Sequence, residues 1–75
     1  MKLKQLNHYL DFMDAVKRCE DEVYFNSDQG DHLNLKSTLS QFLFAAICTD
    51  HSFLAAGEIE CRSEGDYERL GAFLQ

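Results

Sequence analysis

The chain has 75 residues, of which 45% are hydrophobic, and a formal net charge of −6 at pH 7. Its length predicts one domain, residues 1–75, and its composition is typical of a folded domain. The acidic balance argues against nucleic acids and anionic membranes as partners, because both require a basic protein surface.

The cysteines and the apolar runs predict a compartment. Cys19, Cys48 and Cys61 form no CxxC pair and lie in apolar stretches, so we expect buried free thiols that suit a reducing compartment. No apolar run approaches the ~20 residues of a membrane span. The start, Met1–Gln5, has no apolar signal-peptide core behind it. These features predict a cytoplasmic protein.

The first half of the chain predicts one helix and one hairpin. Residues 1–5 alternate like a short edge strand, and an unpaired lead-in is the alternative. Apolar residues recur at helical spacing from Leu6 to Cys19 and predict the first helix. Two β-prone runs around the turn formers near Gly30 predict a β-hairpin from Glu22 to Leu35.

The second half predicts two further helices around a strand. A second helix begins at Ser37, its predicted N-cap, and a short turn capped by Asp50 or Ser52 follows it. Alternation over residues 58–62 predicts a strand with one wet face, and a last helix begins near Asp66. The apolar stripe predicted to face the core in the second helix is Leu39, Phe42, Leu43, Ala46 and Ile47.

The resulting order, (β)-α-β-β-α-β-α, predicts an α+β fold. We expect an open-faced sandwich with the helices on one face of a small antiparallel sheet. The predicted core is Leu10, Met13, Val23, Phe25, Leu35, Leu39, Leu43, Ile59, Leu70 and Phe73. Truncating Leu39 to Ala is expected to cost about 2–5 kcal/mol, and Ser37→Ala about 0.5–2 kcal/mol.

The segment Leu33-Asn34-Leu35-Lys36-Ser37-Thr38-Leu39, with Asp21-Glu22-Val23 before the hairpin, resembles HPr, the phosphocarrier of the bacterial sugar phosphotransferase system. The likeness runs from Tyr9 to Leu74 and implies an HPr-like sandwich with Ser37 at the family's regulatory serine. The family's Gly-apolar-His-Ala-Arg-Pro run is missing, the chain contains no Pro, and Gln5 falls where the active histidine would be. The resemblance therefore predicts a non-catalytic HPr-like interaction or regulatory module, without cofactor, that lacks phosphocarrier activity.

Two other chemistries remain as alternatives at this point. The first is a phosphotransfer protein or kinase substrate that uses His8 or Ser37. The second is a metal site at Cys48, Asp50 and His51, joined by His32 from the hairpin. The spacing of these residues matches no usual zinc pair, so we expect no metal.

A protein partner is predicted from three apolar residues that the helix pattern leaves unassigned. Phe44 falls off the stripe of the second helix. Phe53 and Leu54 lie in the segment around Thr49–Ala56, which is extra relative to the HPr family and which we call the extra segment. We predict that they form an exposed patch for a protein partner or a second copy of the chain. The alternative is that they enlarge the core.

Overall fold

A computed structural model describes residues 1–4 and 8–75, and over these ranges the chain adopts an α+β fold, as predicted. Its elements are α1 (Tyr9–Arg18), β1 (Val23–Asn26), β2 (His32–Asn34), α2 (Thr38–Ile47), α3 (His51–Ala56), β3 (Glu58–Cys61), α4 (Glu64–Arg69) and a 3-10 helix (Gly71–Phe73). The predictions for Gln5 and for a helix start at Leu6 lie outside the described residues.

The three strands form an antiparallel sheet in the order β2-β1-β3. The predicted hairpin is confirmed: Phe25 lies opposite Leu33, and the Ser27 N–H donates to the Asp31 carbonyl at 2.9 Å. Gly30 has φ +92°, a left-handed conformation that glycine adopts without a steric cost. The predicted strand around Ile59 is also confirmed, since Ile59 pairs with Phe25 on the other side of β1.

The first residues of the chain lie along the outer edge of β3. The Met1 amino group donates to the Ile59 carbonyl at 2.9 Å, and the Ile59 N–H donates to the Met1 carbonyl at 2.7 Å. Leu3 pairs with Leu74, and the Lys4 N–H donates to the Phe73 carbonyl at 2.8 Å. Residues 1–4 thus pair with β3 on one side and with residues 73–75 on the other, which favours the edge-strand alternative over the unpaired lead-in.

One face of the sheet is buried and the other is only partly covered. Along β1, Val23 and Phe25 are fully buried, whereas Tyr24 and Asn26 between them are half-buried. The core prediction is confirmed for Met13, Val23, Phe25, Leu35, Ile59 and Leu70, and Phe73 is half-buried against the core. Buried residues outside that prediction include Leu3, Phe12, Val16, Phe44 and Leu54.

The core prediction is wrong for three leucines. Leu10 is 75% exposed, Leu39 71% and Leu43 50%. The error in α2 is a rotation of the helix about its axis, because its buried side carries Phe44 and half-buried Ser40 and Gln41 instead. With apolar residues all around α2, the helical period alone does not select the buried face.

Asp66 is fully buried near the start of α4 and binds the loop between α1 and β1. Its Oδ1 accepts the Glu20 N–H at 2.9 Å, and its Oδ2 accepts the Asp21 N–H at 3.0 Å. Arg69 Nη1 donates to Oδ1 at 2.8 Å and Nη2 binds the Glu20 carboxylate at 3.2 Å. The helix predicted to begin near Asp66 begins two residues earlier, at Glu64. Asp66 lies in its first turn and connects α4 to the loop between α1 and β1.

The cysteine prediction is confirmed for Cys19 and Cys61, which are free and buried, while Cys48 is free and half-buried. Burial raises the pKa of Cys48 to about 11 and is the largest cause that raises that of Cys61 to about 11. Both thiols are therefore protonated at neutral pH, and a protonated thiol is the unreactive form.

Candidate interaction surface

The exposed side of α2 is a continuous apolar surface. Leu39, Phe42, Leu43 and Ala46 recur at positions i, i+3, i+4 and i+7, so they lie on one side of the helix, and all four are exposed. Phe42 is 72% exposed. We call these four residues the α2 apolar face. The helix carries no charged residue over Thr38–Ile47, so nothing on it interrupts this surface.

Two residues on the opposite side of α2 fix its orientation. Gln41 Nε2 donates to the Leu35 carbonyl at 3.0 Å and so satisfies a backbone group at the end of β2. Phe44 is fully buried among aromatic rings, with its centroid 5.3 Å from that of Phe25 and 5.9 Å from that of Phe12. These contacts hold the α2 apolar face toward solvent.

The start of α1 lies beside the middle of α2. The Tyr9 hydroxyl donates to the Gln41 carbonyl at 3.3 Å, and the Tyr9 ring centroid is 6.1 Å from that of Phe44. Leu10, the next residue of α1, is exposed. A large apolar side chain on α1 therefore lies within one helical turn of the contact between the two helices.

Two of the three predicted surface residues lie in the core, and the third packs against it. Phe44 and Leu54 are buried, so their prediction as an exposed patch is wrong. Phe53 is half-buried, with its ring centroid 6.5 Å from that of Phe25. The extra segment folds as α3, in which Asp50 caps the helix by accepting the Phe53 N–H at 3.1 Å. Its apolar side chains enlarge the core, the alternative stated from the sequence.

Ser37 occupies the predicted N-cap position of α2, but its hydroxyl makes no capping hydrogen bond. The Ser37 carbonyl accepts the Gln41 N–H at 2.9 Å, as an N-cap carbonyl does, and the side chain is exposed. Neighbouring Lys36 donates from Nζ to the Cys19 carbonyl. The ammonium group is thus engaged with the end of α1.

His8 lies at the N-cap position of α1 with an exposed side chain. No side-chain hydrogen bond caps this helix start among the described residues. The first turn of α1 contains Asp11, and both basic residues of the helix, Lys17 and Arg18, lie in its last turn. His8 is therefore at the positive end of the helix dipole, without an arginine beside it in sequence.

The residues proposed for a metal have separate roles. Asp50 caps α3, His51 begins that helix with an exposed side chain, and His32 stacks on Tyr24 with ring centroids 4.1 Å apart. Over residues 1–4 and 8–75, no group of three or more His, Cys, Asp or Glu residues has the geometry to hold a metal ion.

The open face of the sheet carries a polar layer around Tyr24. His32 stacks on the Tyr24 ring at an interplanar angle of 15°, and the Arg62 guanidinium carbon lies 5.0 Å from the ring centroid. Asn26 Nδ2 donates to Glu60 at 2.9 Å, and Glu60 also binds Arg62 at 3.6 Å. These pairs, all but Glu60–Arg62 between neighbouring strands, cover the sheet with side chains that already have partners.

Within the described ranges, none of the helices is long and apolar enough to cross a lipid bilayer. Comparison of the chain with protein-family models, curated proteins and solved structures finds no match.

Proposed function

We propose that this chain is an HPr-like module that binds another protein through the α2 apolar face and does not act as a phosphocarrier. The observation that carries the proposal is the exposure of Leu39, Phe42 and Leu43 on a helix without charge. Contiguous exposed apolar surface on a small domain marks an interaction site more often than scattered single residues do.

The α2 apolar face has enough apolar surface for a specific contact. Burying one Leu or Phe side chain contributes about 1.5–3 kcal/mol relative to leaving it exposed. Three such side chains on one helix side therefore offer several kcal/mol to a partner that covers them, part of which offsets the entropy lost on association. A helix side with this spacing suits a groove on the partner.

The order of the elements supports the HPr-like part of the proposal. From α1 to α4 the chain follows the order that the resemblance implies, with the residues 1–4 segment at the first-strand position and α3 as an added helix. Ser37 immediately precedes α2, where the resemblance places it. One face of the antiparallel sheet is buried and the other is polar, as in an open-faced sandwich.

The surroundings of His8 support the absence of phosphocarrier activity. A phosphohistidine needs cations and N–H donors around the phosphate. The residues after His8 are Tyr9 and Leu10, and the first arginine of the chain, Arg18, lies at the far end of α1. The Lys2 ammonium donates to the Ala56 carbonyl at 2.8 Å and is engaged there.

A second candidate function, phosphoryl acceptance at His8 or Ser37, is favoured by one observation. Both residues lie at helix N-cap positions, both are exposed, and neither helix start shows a side-chain cap within the described part of the chain. Each of α1 and α2 is 10 residues long, and an added phosphate would meet its first N–H groups and the positive end of its dipole.

The binding proposal is tested by cross-linking capture from the native host with wild-type protein, Phe42→Ser and Ala45→Ser. Ala45 is also exposed on α2, off the α2 apolar face, so it is a matched control. We expect one protein to be captured by the wild type and Ala45→Ser and lost with Phe42→Ser. Equal capture by all three would contradict the proposal.

Phosphoryl acceptance is tested by mass spectrometry in two incubations. Enzyme I with phosphoenolpyruvate tests His8, and an HPr kinase with ATP tests Ser37, each with authentic HPr labelled in parallel. We expect no added phosphate on this chain. A phosphate that disappears in His8→Ala or Ser37→Ala would replace the first proposal by the second.

A further inference from the structure

The area of the α2 apolar face and the net charge of the chain indicate what kind of partner covers it. We infer that this face docks into an apolar groove bordered by lysine and arginine side chains on a different protein. The inference rests on the binding function proposed above and adds the chemistry of the partner. It is carried by two observations, the area of the face and the net charge of the chain, −6.

The exposed area is too small for a stable symmetric pair of this chain. Leu39, Phe42 and Leu43 together expose on the order of 400 Å², given the usual areas of such side chains. Two copies paired through these residues would bury roughly 800 Å² in total, whereas specific interfaces bury about 1,200–2,000 Å². Two convex helix sides touch only along a line, whereas a groove on a partner encloses more of the same helix.

Charge also disfavours a second copy. Each copy carries a net charge of −6, so two copies repel one another at ordinary ionic strength. A basic partner reverses the sign of this interaction, which steers its approach and favours the correct orientation.

Acidic residues follow both the end of α2 and the exposed Leu10 of α1 along the chain. Asp50 lies three residues beyond the end of α2, where the helix dipole is negative and the last turn has no basic residue. On α1, Asp14 follows Leu10 by one turn and is exposed. The basic residues nearby are Lys17, one turn further along α1, and Lys36, whose ammonium binds the Cys19 carbonyl.

The face itself carries no group that would select a partner by hydrogen bonding. All four of its side chains are apolar, so the groove must be apolar where α2 enters it. Selectivity then comes from the border of the groove, where lysine or arginine would meet Asp14 and the end of α2.

Two synthetic amphipathic helical peptides of equal length test the inference, one of leucine and lysine and one of leucine and glutamate. Binding to the full chain is measured by fluorescence anisotropy at low and high salt. We expect the Leu–Lys peptide to bind at least about tenfold more tightly than the Leu–Glu peptide, and salt to weaken it. Phe42→Ser should weaken Leu–Lys binding by a similar factor, and Ala45→Ser should leave it unchanged.

A second pair of variants tests the role of the local charge. Asp14→Asn and Glu68→Gln remove the same charge from exposed positions, the first beside Leu10 on α1 and the second on α4. We expect Asp14→Asn to weaken the Leu–Lys peptide by a few-fold and Glu68→Gln to have no effect. Equal effects would mean that only net charge matters, which would overturn the inferred basic border.

The remaining outcomes separate this inference from the proposed function. If both peptides bind equally and both depend on Phe42, the basic border is wrong and the binding function stands. If Phe42→Ser leaves Leu–Lys binding unchanged, the α2 apolar face is not the docking site. The inference and the proposed binding function are then both wrong. Sedimentation equilibrium showing a wild-type dimer that Phe42→Ser dissociates would make a second copy the occupant and overturn the inference, as would failure of both peptides to bind.

Discussion

Arg69 donates a hydrogen bond of 2.8 Å from Nη1 to Oδ1 of Asp66, a carboxylate fully buried in α4. The same carboxylate accepts the backbone N–H groups of Glu20 and Asp21, so one side chain joins α4 to the loop after α1. A buried charge is costly without hydrogen-bond partners, and this carboxylate accepts from three donors.

Replacing Asp66 by Asn is therefore expected to destabilise the fold. The amide keeps the shape of the side chain but offers one acceptor oxygen, and its NH₂ group then faces a backbone N–H. We expect the melting temperature to fall by at least about 5 °C. Glu68→Gln, which removes an exposed carboxylate from the same helix, should change it little. Equal melting temperatures for wild type and Asp66→Asn would refute the role assigned to this side chain.

The same site predicts how stability depends on pH. Burial raises the pKa of Asp66, but the N–H groups of Asp21 and Glu20 and the Arg69 guanidinium more than offset it, and the net pKa lies below the ordinary 3.8. A lowered native pKa stabilises the fold above pH 3.8, and this contribution is lost as the pH falls through the native pKa. In urea unfolding, the difference in the free energy of unfolding between wild type and Asp66→Asn should therefore shrink as the pH falls below 3.8. A constant difference down to pH 2 would contradict it.

Truncation of two phenylalanines on α2, two residues apart, should change the free energy of unfolding by very different amounts. Phe44 is fully buried among aromatic rings, so Phe44→Ala should cost about 3–5 kcal/mol in urea unfolding. Phe42 is exposed, so Phe42→Ala should change stability by no more than about 0.5 kcal/mol. Leu39 is exposed as well, so Leu39→Ala should also change stability little, and the cost of about 2–5 kcal/mol predicted from the sequence is too large. A large loss for Phe42→Ala would mean that α2 is rotated.

The two helix caps provide a further matched pair. Asp50 accepts the Phe53 N–H, so Asp50→Ala should cost about 0.5–2 kcal/mol. Ser37 makes no capping bond from its side chain, so Ser37→Ala should cost less than about 0.5 kcal/mol, less than its sequence predicts. Urea unfolding of the two variants decides this, and a greater loss for Ser37→Ala would reverse the assignment.

Gly57 is expected to tolerate no side chain. A methyl group there would lie 2.9 Å from the Asn26 carbonyl oxygen and closer still to the buried Phe25 ring. Because a backbone atom and a core ring must both shift, Gly57→Ala should cost about 1–3 kcal/mol. Gly71→Ala, whose methyl group meets nothing within 4 Å, is the control for thermal unfolding. Similar melting temperatures for the two variants would contradict this prediction and would mean that Phe25 and Asn26 in β1 shift at little cost.

The hairpin and the strand at Ile59 could be predicted from the sequence because their signals are local. Alternation sets which side chains face the core, and the turn formers around Gly30 set where the chain reverses. The cap of α3 by Asp50 is local as well, since donor and acceptor are three residues apart.

The buried face of α2 could not be predicted because it depends on groups distant in the sequence. The helix is apolar on most sides, so its period supports more than one orientation. The choice is made by Phe44, which fills the space between Phe12 and Phe25, and by Gln41, which meets the Leu35 carbonyl. For the same reason the sequence predicts Phe44 at the surface and Phe42 in the core, the reverse of their positions in the structure.

The contacts of Asp66 with the loop after α1 could not be predicted, because the local sequence around it favours a different role, that of a helix cap. An acidic residue after a Ser-Glu-Gly run is typical of a helix cap. Its partners at Glu20 and Asp21 lie 46 and 45 residues away, and no spacing rule joins them.

The pairing of Leu3 with Leu74 has a consequence for synthesis on the ribosome. Residues 1–4 are translated before residues 73–75, so the backbone groups of Lys2 and Lys4 that bind Gln75 and Phe73 lack these partners until residues 73–75 emerge. In a nascent chain that has reached only Leu70, Leu3 lacks its partner Leu74, although Leu3 is buried in the folded domain. These contacts therefore form only after residues 73–75 have emerged, and until then the part of residues 1–4 that meets them is open to chaperones and to neighbouring nascent chains.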